Sequence, residues 1–495
     1  MIKQTAIKTA SSGSDVTRLA GRGTIYITAS KAWFMISGLG IHLTLPSLMT
    51  AEMFGLYQVT VSVVSVINAV VVTGTYQTVS KYVSQEEEKA GAVKSKALKL
   101  QLAVGGGISA GFFLLAPVIA RFMNDDRLID YLRLASLITL SYSFYSVFTG
   151  YFNGLKRFLA QAVLDMTYST LKLVMIVSLV WLGYGVAGGI GGFALAAASV
   201  LAVSAYLARG AQKRGEVRAA DLFQFQSYLL LSTLVFNLLQ KVDIILVKSL
   251  SSSDPTLASV NAGYYGGAIN MANLTYQIIV SVTFVIFPLV SQATFSNDLE
   301  RTRGYISTTL RYTLMMMALV ATLFSANAAE ALRVIYPENY QAATVALSVV
   351  AYGMLFFGLL FILTTIISAS GRPAVSLIVC IVSLVASATF NAVLVPRFGI
   401  DGAAIGTTAS MIVGVVAGGG YILSRYGALV PVKSLARIAL ASGALYASSL
   451  AFSPASKLLI LVQLALLPVV YAVVLVATGE LGASDLARIK RVIKR

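Results

Sequence analysis

What constrains this chain most is the recurrence of long, unbroken apolar runs from about residue 24 to residue 478. Roughly 20 consecutive apolar residues suffice to cross the hydrocarbon core of a bilayer. No water is available there to satisfy the backbone, so only helices and closed barrels can span it. These runs are continuous rather than short and alternating, which selects helices. Composition agrees: hydrophobic residues make up 57% of the chain and charged residues 12%, where soluble domains carry about 25% charged residues. The expected fold is an all-α polytopic membrane protein with no room for a soluble catalytic domain.

Hydropathy predicts fourteen spans: 23–48, 54–83, 98–121, 130–155, 159–182, 185–209, 222–250, 261–292, 306–327, 341–370, 373–396, 400–424, 434–453 and 457–478. With the N-terminus in the cytoplasm, Lys3, Lys8, Arg18, Arg22, Lys89, Lys94, Lys96, Lys99, Lys156, Arg157, Lys213, Arg214, Arg218, Arg301, Arg303, Arg372, Arg425, Lys433 and Arg437 fall inside, as do the bases of the C-terminal tail. The outside loops keep Arg121, Arg127, Arg133, Arg333, Arg397 and Lys457. Basic residues gather in cytoplasmic loops, so both termini are expected inside. The net charge of +17 then requires no nucleic-acid partner. The basic tail is either solvated or laid against anionic lipid.

Met1–Gly21 is polar and lacks an apolar core followed by a cleavage site, so no signal peptide is expected and the first span serves as the insertion signal. A single cysteine, Cys380, and a single histidine, His42, exclude an intrachain disulfide, a cysteine zinc site and a histidine-rich metal site. The predicted loops are short, and no Gly-x-x-x-x-Gly-Lys-Ser/Thr nucleotide loop occurs. Neither an enzyme nor an ATPase is expected, and no cofactor beyond a coupling ion, sodium or proton.

The chain repeats itself. Tyr184-Gly185-Val186-Ala187-Gly188, followed by Gly192, matches Phe398-Gly399-Ile400-Asp401-Gly402, followed by Gly406. Gly55-Leu56-Tyr57 and Gly263-Tyr264-Tyr265 each open a predicted helix, at nearly the same separation along the chain. The first six spans and the next six therefore read as copies. An even number of spans per copy gives both the same orientation, related by an axis along the membrane normal. The expected organisation is a cytoplasmic tail over 1–22, a first lobe over 23–210, a basic linker over 211–221, a second lobe over 222–424, a terminal helix pair over 434–478 and a basic cytoplasmic tail over 479–495.

This plan, with Phe54-Gly55-Leu56-Tyr57-Gln58, Val79-Ser80-Lys81-Tyr82-Val83, Gly263-Tyr264-Tyr265, Phe287-Pro288 and the run from Asn391 to Ala404, resembles the multidrug/oligosaccharidyl-lipid/polysaccharide exporter superfamily. Within it the chain is most similar to the polysaccharide-transporter branch of lipid-linked oligosaccharide flippases, which is related to lipid II flippases. The resemblance covers the whole chain. It implies two six-helix lobes around a central cavity lined by spans 1, 2, 7 and 8. It also implies transfer of an undecaprenyl-diphosphate-linked oligosaccharide across a bacterial cytoplasmic (inner) membrane by alternating access, for cell-surface polysaccharide. The arginine-rich early spans of lipid II flippases are absent, since the first span carries Lys31 and the second has no central arginine.

Ionisable groups at mid-membrane cost about 2.5–3.5 kcal/mol on insertion scales and are functional candidates. In the first span, Lys31 and His42 share a face after about three turns. Lys31 either contacts the lipid diphosphate or snorkels to the interface, and His42 either binds substrate or packs. Asn68 and Gln77 of the second span, and Asn270, Asn273 and Gln277 of the eighth, offer amide donors and acceptors that suit sugar hydroxyls or bond neighbouring helices. In the seventh span Lys241 and Asp243 lie about 200° apart on a helix. Lys241 is a substrate-binding candidate. Asp243 is the coupling-ion candidate, or it pairs with a base such as Lys172. Asp165 and Lys172 share a face and read as a structural pair. Expected partners are the lipid-linked glycan, membrane lipid and a polysaccharide polymerase or ligase, with a monomer as the working unit. The competing functions are lipid II flipping, ion-coupled small-molecule antiport and membrane-embedded glycan chemistry.

Overall fold

The structure is a computed structural model that describes residues 13–209, 215, 217–296, 298–452, 454 and 456–482. The outer parts of both expected tails, 1–12 and 483–495, residue 210 and part of the basic linker (211–214 and 216) lie outside the described residues. Fifteen α-helices follow one another among those described: α1 (Gly13–Leu48), α2 (Ala51–Gln85), α3 (Ala90–Phe122), α4 (Leu128–Gly154), α5 (Phe158–Leu179), α6 (Gly185–Leu207), α7 (Ala219–Leu239), α8 (Val242–Leu250), α9 (Pro255–Phe295), α10 (Leu299–Ala326), α11 (Ala328–Ile335), α12 (Thr344–Ala369), α13 (Pro373–Tyr426), α14 (Val432–Leu450) and α15 (Lys457–Ala477).

Eight helical stretches among the described residues are long and apolar enough to cross a membrane. Their outward faces carry large apolar side chains: Leu114 is 73% exposed and Trp181 72%. Continuous apolar surface of this kind belongs against lipid rather than water. The fold is all-α and polytopic, and the chain is a multi-pass membrane protein.

Helix ends follow local chemistry. Pro255 starts α9 behind Asp254, whose carboxylate accepts from the Thr256 amide at 2.9 Å. Asp298 caps α10 through the Arg301 amide at 2.9 Å, as expected for residues that satisfy orphan N–H groups. Three boundaries differ from the predicted ones. The first helix begins at Gly13, because a helix leaving the bilayer can continue in water with its backbone bonds internal. The predicted seventh span, 222–250, breaks between α7 and α8. The final segment is not all solvated tail, since Glu480 is buried against Arg311, with Nε–Oε1 at 2.5 Å, and against Arg437 at 3.4 Å.

The 54 residues of α13 would extend about 80 Å as one rod, well beyond a bilayer. Instead the helix folds back at Gly399 (φ 57°, ψ −131°). The α5–α6 turn folds back at Gly185 in the same conformation (φ 52°, ψ −133°). Positive φ with this ψ is a glycine conformation, so the two glycines aligned by the sequence repeat make the same turn. A Cβ on Gly192 would lie 2.7 Å from the Ile176 amide of α5, and one on Gly406 3.2 Å from the Asn391 amide. In both hairpins this glycine lets the second helix lie directly on the first.

Packing divides the chain into two units. One contains the residues up to Leu48, Val63–Arg121 and Asp126–Leu234. The other contains Met49–Ser62, Phe122–Asp125 and the residues from Val235 onward. In the first unit, α4 lies on α2 through Gly150 and Gly154: a Cβ on either would sit 2.7 Å from a carbonyl of α2, Tyr76 or Ser80. In the second unit, a core of Leu310, Met317, Ile362, Ile366, Ile438 and Leu445 joins α10, α12 and α14. The opening turns of α2 and the α3–α4 loop pack with the second unit rather than with their sequence neighbours.

Candidate functional site

In the first unit the polar groups converge on Asp165 of α5. Lys31 of α1 is 62% exposed along its side chain, and its Nζ lies 3.3 Å from Asp165 Oδ2. Tyr145 donates to Asp165 Oδ1 at 3.0 Å. Tyr142, Tyr145, Tyr168 and Phe193 pack ring against ring beside this pair. Trp33 Nε1 donates to Thr170 Oγ1 at 2.9 Å, a second tie between α1 and α5. The expected Asp165–Lys172 pair is not formed. Seven residues separate the two by about 10 Å along the helix axis, and the Lys172 ammonium instead lies 4.0 Å from the Phe193 ring centroid.

A second polar network in the same unit joins α2, α4 and α5. Ser80 Oγ donates to Asn153 Oδ1 at 2.7 Å, Asn153 Nδ2 to Gln161 Oε1 at 2.8 Å, and Gln161 Nε2 approaches the Tyr76 hydroxyl at 3.5 Å. Asn153 and Gln161 were not singled out in the sequence, although amides in apolar helices are the signal that finds them. Of the other candidates in this unit, His42 is half-buried, Gln77 is exposed, and Asn68 is buried with its Oδ1 lacking a hydrogen-bond partner.

In the second unit Lys241 and Asp243 do not share a continuous helix. Lys241 is the non-helical residue (φ −129°) before α8, so the angular argument for a single helix does not apply. Asp243 is 2% exposed. Its Oδ1 accepts from the Ile244 amide at 2.8 Å, and its Oδ2 accepts from the Tyr265 hydroxyl at 2.9 Å with Thr407 Oγ1 at 3.5 Å. Asn391 reaches the same place: its Nδ2 donates to the Ser387 carbonyl at 2.8 Å and lies 3.5 Å from Thr407 Oγ1. Its Oδ1 is buried without a partner. Asp243 thus gathers Tyr265, Thr407 and Asn391, not the Lys172 considered from sequence. Tyr265 and Asn391 lie in motifs noted in the sequence, but nothing there ties them or Thr407 to Asp243. On α9, Asn270, Asn273 and Gln277 are each half-buried, and Asn270 Nδ2 and Gln277 Oε1 lack hydrogen-bond partners.

At the other end of α8 lies a group the sequence did not single out. Lys248 is fully buried, with Nζ 2.7 Å from Asp125 Oδ2, 2.8 Å from Ser259 Oγ and 2.9 Å from the Pro255 carbonyl.

Comparison with known proteins gives this architecture a family. The polysaccharide biosynthesis protein model matches residues 20–294, and the MatE model matches residues 229–393. The uncharacterized membrane protein YabM of Bacillus subtilis is 23% identical over 64% of this chain and 63% of its own length. A probable low-salt glycan biosynthesis flippase of Haloferax volcanii is 23% identical over 42% of each chain. The chain therefore spans less than two thirds of either relative. Among solved structures, the lipid II flippase MurJ in an inward closed conformation has a TM-score of 0.76 at 14% identity, covering 93% of this chain and 99% of that one. An inward-facing multidrug resistance transporter of the MATE family has a TM-score of 0.62 at 16% identity, covering 79% and 95%. The chain belongs to the polysaccharide biosynthesis protein family.

Proposed function

We propose that this protein is a flippase that carries an undecaprenyl-diphosphate-linked oligosaccharide from the cytoplasmic to the outer leaflet by alternating access, with both termini cytoplasmic. Its setting is the bacterial cytoplasmic membrane, and its product feeds cell-surface polysaccharide assembly by a polymerase or ligase. The observation that carries the reading is Lys31. It is a cation on an apolar helix, 62% exposed along its side chain, with Asp165 as its counter-ion at 3.3 Å. A diphosphate is the ligand such a group suits, because charge-assisted hydrogen bonds gain strength where water is scarce. His42, Asn68, Gln77, Lys241, Asn270, Asn273 and Gln277 are the residues proposed to contact the rest of the substrate, the amides facing sugar hydroxyls.

The Asp243 cluster is the proposed coupling-ion site. A carboxylate, a phenol and a hydroxyl surround it, and the buried Asn391 Oδ1 lacks a partner. That is an all-oxygen set suited to a hard cation. Sodium would use the Asp243, Tyr265 and Thr407 oxygens, whereas a proton would need only the carboxylate. No residue of this proposal performs covalent chemistry.

The test uses the full chain in liposomes without nucleotide. A fluorescent undecaprenyl-diphosphate glycan is expected to cross. Crossing by lipid II alone would assign the peptidoglycan precursor instead, uptake of organic cations alone the multidrug reading, and appearance of cleaved or extended glycan an enzyme.

A further inference from the structure

The opening turns of α2 and α9 touch through backbone. A Cβ on Gly55 would strike the Ser259 carbonyl oxygen and lie 2.8 Å from the Gly263 amide. A Cβ on Gly263 would strike the Ala51 carbonyl oxygen and lie 3.2 Å from the Gly55 amide. The contact is reciprocal: each glycine presses on the residue four before the other. Gln58 continues it one turn on, with Nε2 3.4 Å from the Gly266 carbonyl.

Ser259 belongs to two structures at once. Its carbonyl receives Gly55, and its hydroxyl lies 2.8 Å from Lys248 Nζ and 3.4 Å from Asp125 Oδ2. Lys248 and Asp125 have 0% and 2% of their side chains exposed. Asp125 comes from the α3–α4 loop, turned inward after Asn124 in the left-handed conformation (φ 51°). Ser249 Oγ fastens the same loop through the Phe122 carbonyl at 2.6 Å. These residues all lie within the second unit. They join the first copy of the repeat, through Gly55 and Asp125, to the second, through Lys248, Ser259 and Gly263.

A buried ion pair is a poor device for adding stability, because desolvating two charges offsets most of their attraction, and its best-attested use is as a register or switch element. Here the pair sits at helix ends and a loop, where a short movement would return both charges to water. Closed, each charge needs the other. Open, each needs solvent. Intermediate separations leave both charges dry and unpaired, so the arrangement favours two end states over a continuum.

We infer that Lys248, Asp125 and Ser259 form a latch that holds the opening turns of α2 and α9 together through the Gly55–Gly263 contact, and that opening this end of the protein requires the pair to separate and hydrate. The assignment of this end to the outer face rests on the topology proposed above.

The test needs no substrate, so its failure and that of the flippase reading are distinguishable. In a Cys380→Ser background, Ser62→Cys places a reporter on a buried α2 position two turns beyond Gly55. A membrane-impermeant maleimide is applied to intact cells. The parent should label slowly. Asp125→Asn and Lys248→Met, each removing one charge of the buried pair, should label about tenfold faster or more. The reversed pair Asp125→Lys/Lys248→Asp should label slowly again. Single variants that elute as monodisperse protein yet label at the parent rate overturn the inference, as does a reversed pair that labels as fast as the singles. Should both singles fail to fold, Ser259→Ala decides: labelling several-fold faster than the parent supports the latch, and the parent rate overturns it.

Discussion

Gly55 and Gly263, placed at equivalent points of the repeat by sequence, lie against each other in the structure, each filling the space a Cβ would need beside the other helix. The obstructing atoms are backbone carbonyls, which cannot rotate away. Gly55→Ala and Gly263→Ala should therefore each destabilise the closed arrangement by about 1–3 kcal/mol, the usual range for overpacking. Gly107→Ala, where nothing lies within 4 Å, is the control. Melting of the purified protein in detergent should show a lower midpoint for the first two and not for the third. Equal midpoints would remove the contact from the account.

The turn glycines make a separate prediction. Gly185 and Gly399 share φ values of 52° and 57° with ψ of −133° and −131°, a sparsely populated conformation that costs an L-residue roughly 1–3 kcal/mol. Nothing lies within 4 Å of a Cβ on Gly399, so conformational strain alone should set the effect of Gly399→Ala. The loss in stability should be of that order, and Gly399→Asn should lose less. A neutral Gly399→Ala would show that the turn is not held in this conformation.

The spans and the repeat were legible because they are written in patterns that survive without partners. Hydropathy marks each span, and Gly185 and Gly399 stand in matching surroundings because the same turn needs them. Pairings across the chain were not legible. Asp125 falls in a predicted loop and Lys248 at the end of a predicted span, where a charge normally meets water, and only the fold brings them within 2.7 Å. Spacing pairs Asp165 with Lys172 on its own helix, whereas Lys31 reaches it from α1. Tyr265, Thr407 and Asn391 around Asp243 are ordinary residues for membrane helices until the fold assembles them.

Asp243→Asn keeps the size of the side chain and removes its charge. If Asp243 holds the coupling ion, this variant should flip substrate at a rate that no longer responds to an imposed sodium or proton gradient, while the parent responds to one of the two. Tyr265→Phe should weaken the response without removing it, since one of several oxygens is lost. A gradient response retained in Asp243→Asn would place coupling elsewhere.

Glu480 supplies a pH prediction. Burial raises its pKa, but hydrogen bonds from Arg311, Ser434 and Arg437 and the Arg311 charge outweigh this, so the group is held below the ordinary glutamate value. A carboxylate with a depressed folded-state pKa contributes stability that is present above its unfolded pKa, near 4.5, and lost as pH falls through the folded value. The docking of the residues after α15 onto α10 and α14 should therefore loosen in acid. Glu480→Gln should lower the melting midpoint at pH 7 and flatten its acid dependence. An unchanged pH profile would mean that the two arginines do not act through this carboxylate.

Lys31 and Asp165 separate substrate contact from scaffolding. If Lys31 meets the diphosphate, Asp165 is only its resting counter-ion. Lys31→Ala should then cut flipping by about tenfold or more, given the strength of charge-assisted bonds, and Asp165→Asn should keep most of it. Equal losses in the two variants would mark the pair as structural.

The most direct test of the central claim is the ATP-free transfer of a fluorescent undecaprenyl-diphosphate oligosaccharide across liposomes containing the full-length protein, read as protection of the inner-leaflet probe from a membrane-impermeant quencher. Transfer should need the protein, saturate with substrate and fall in Lys31→Ala. Transfer no faster than in protein-free liposomes, from protein that is folded and inserted, would contradict it.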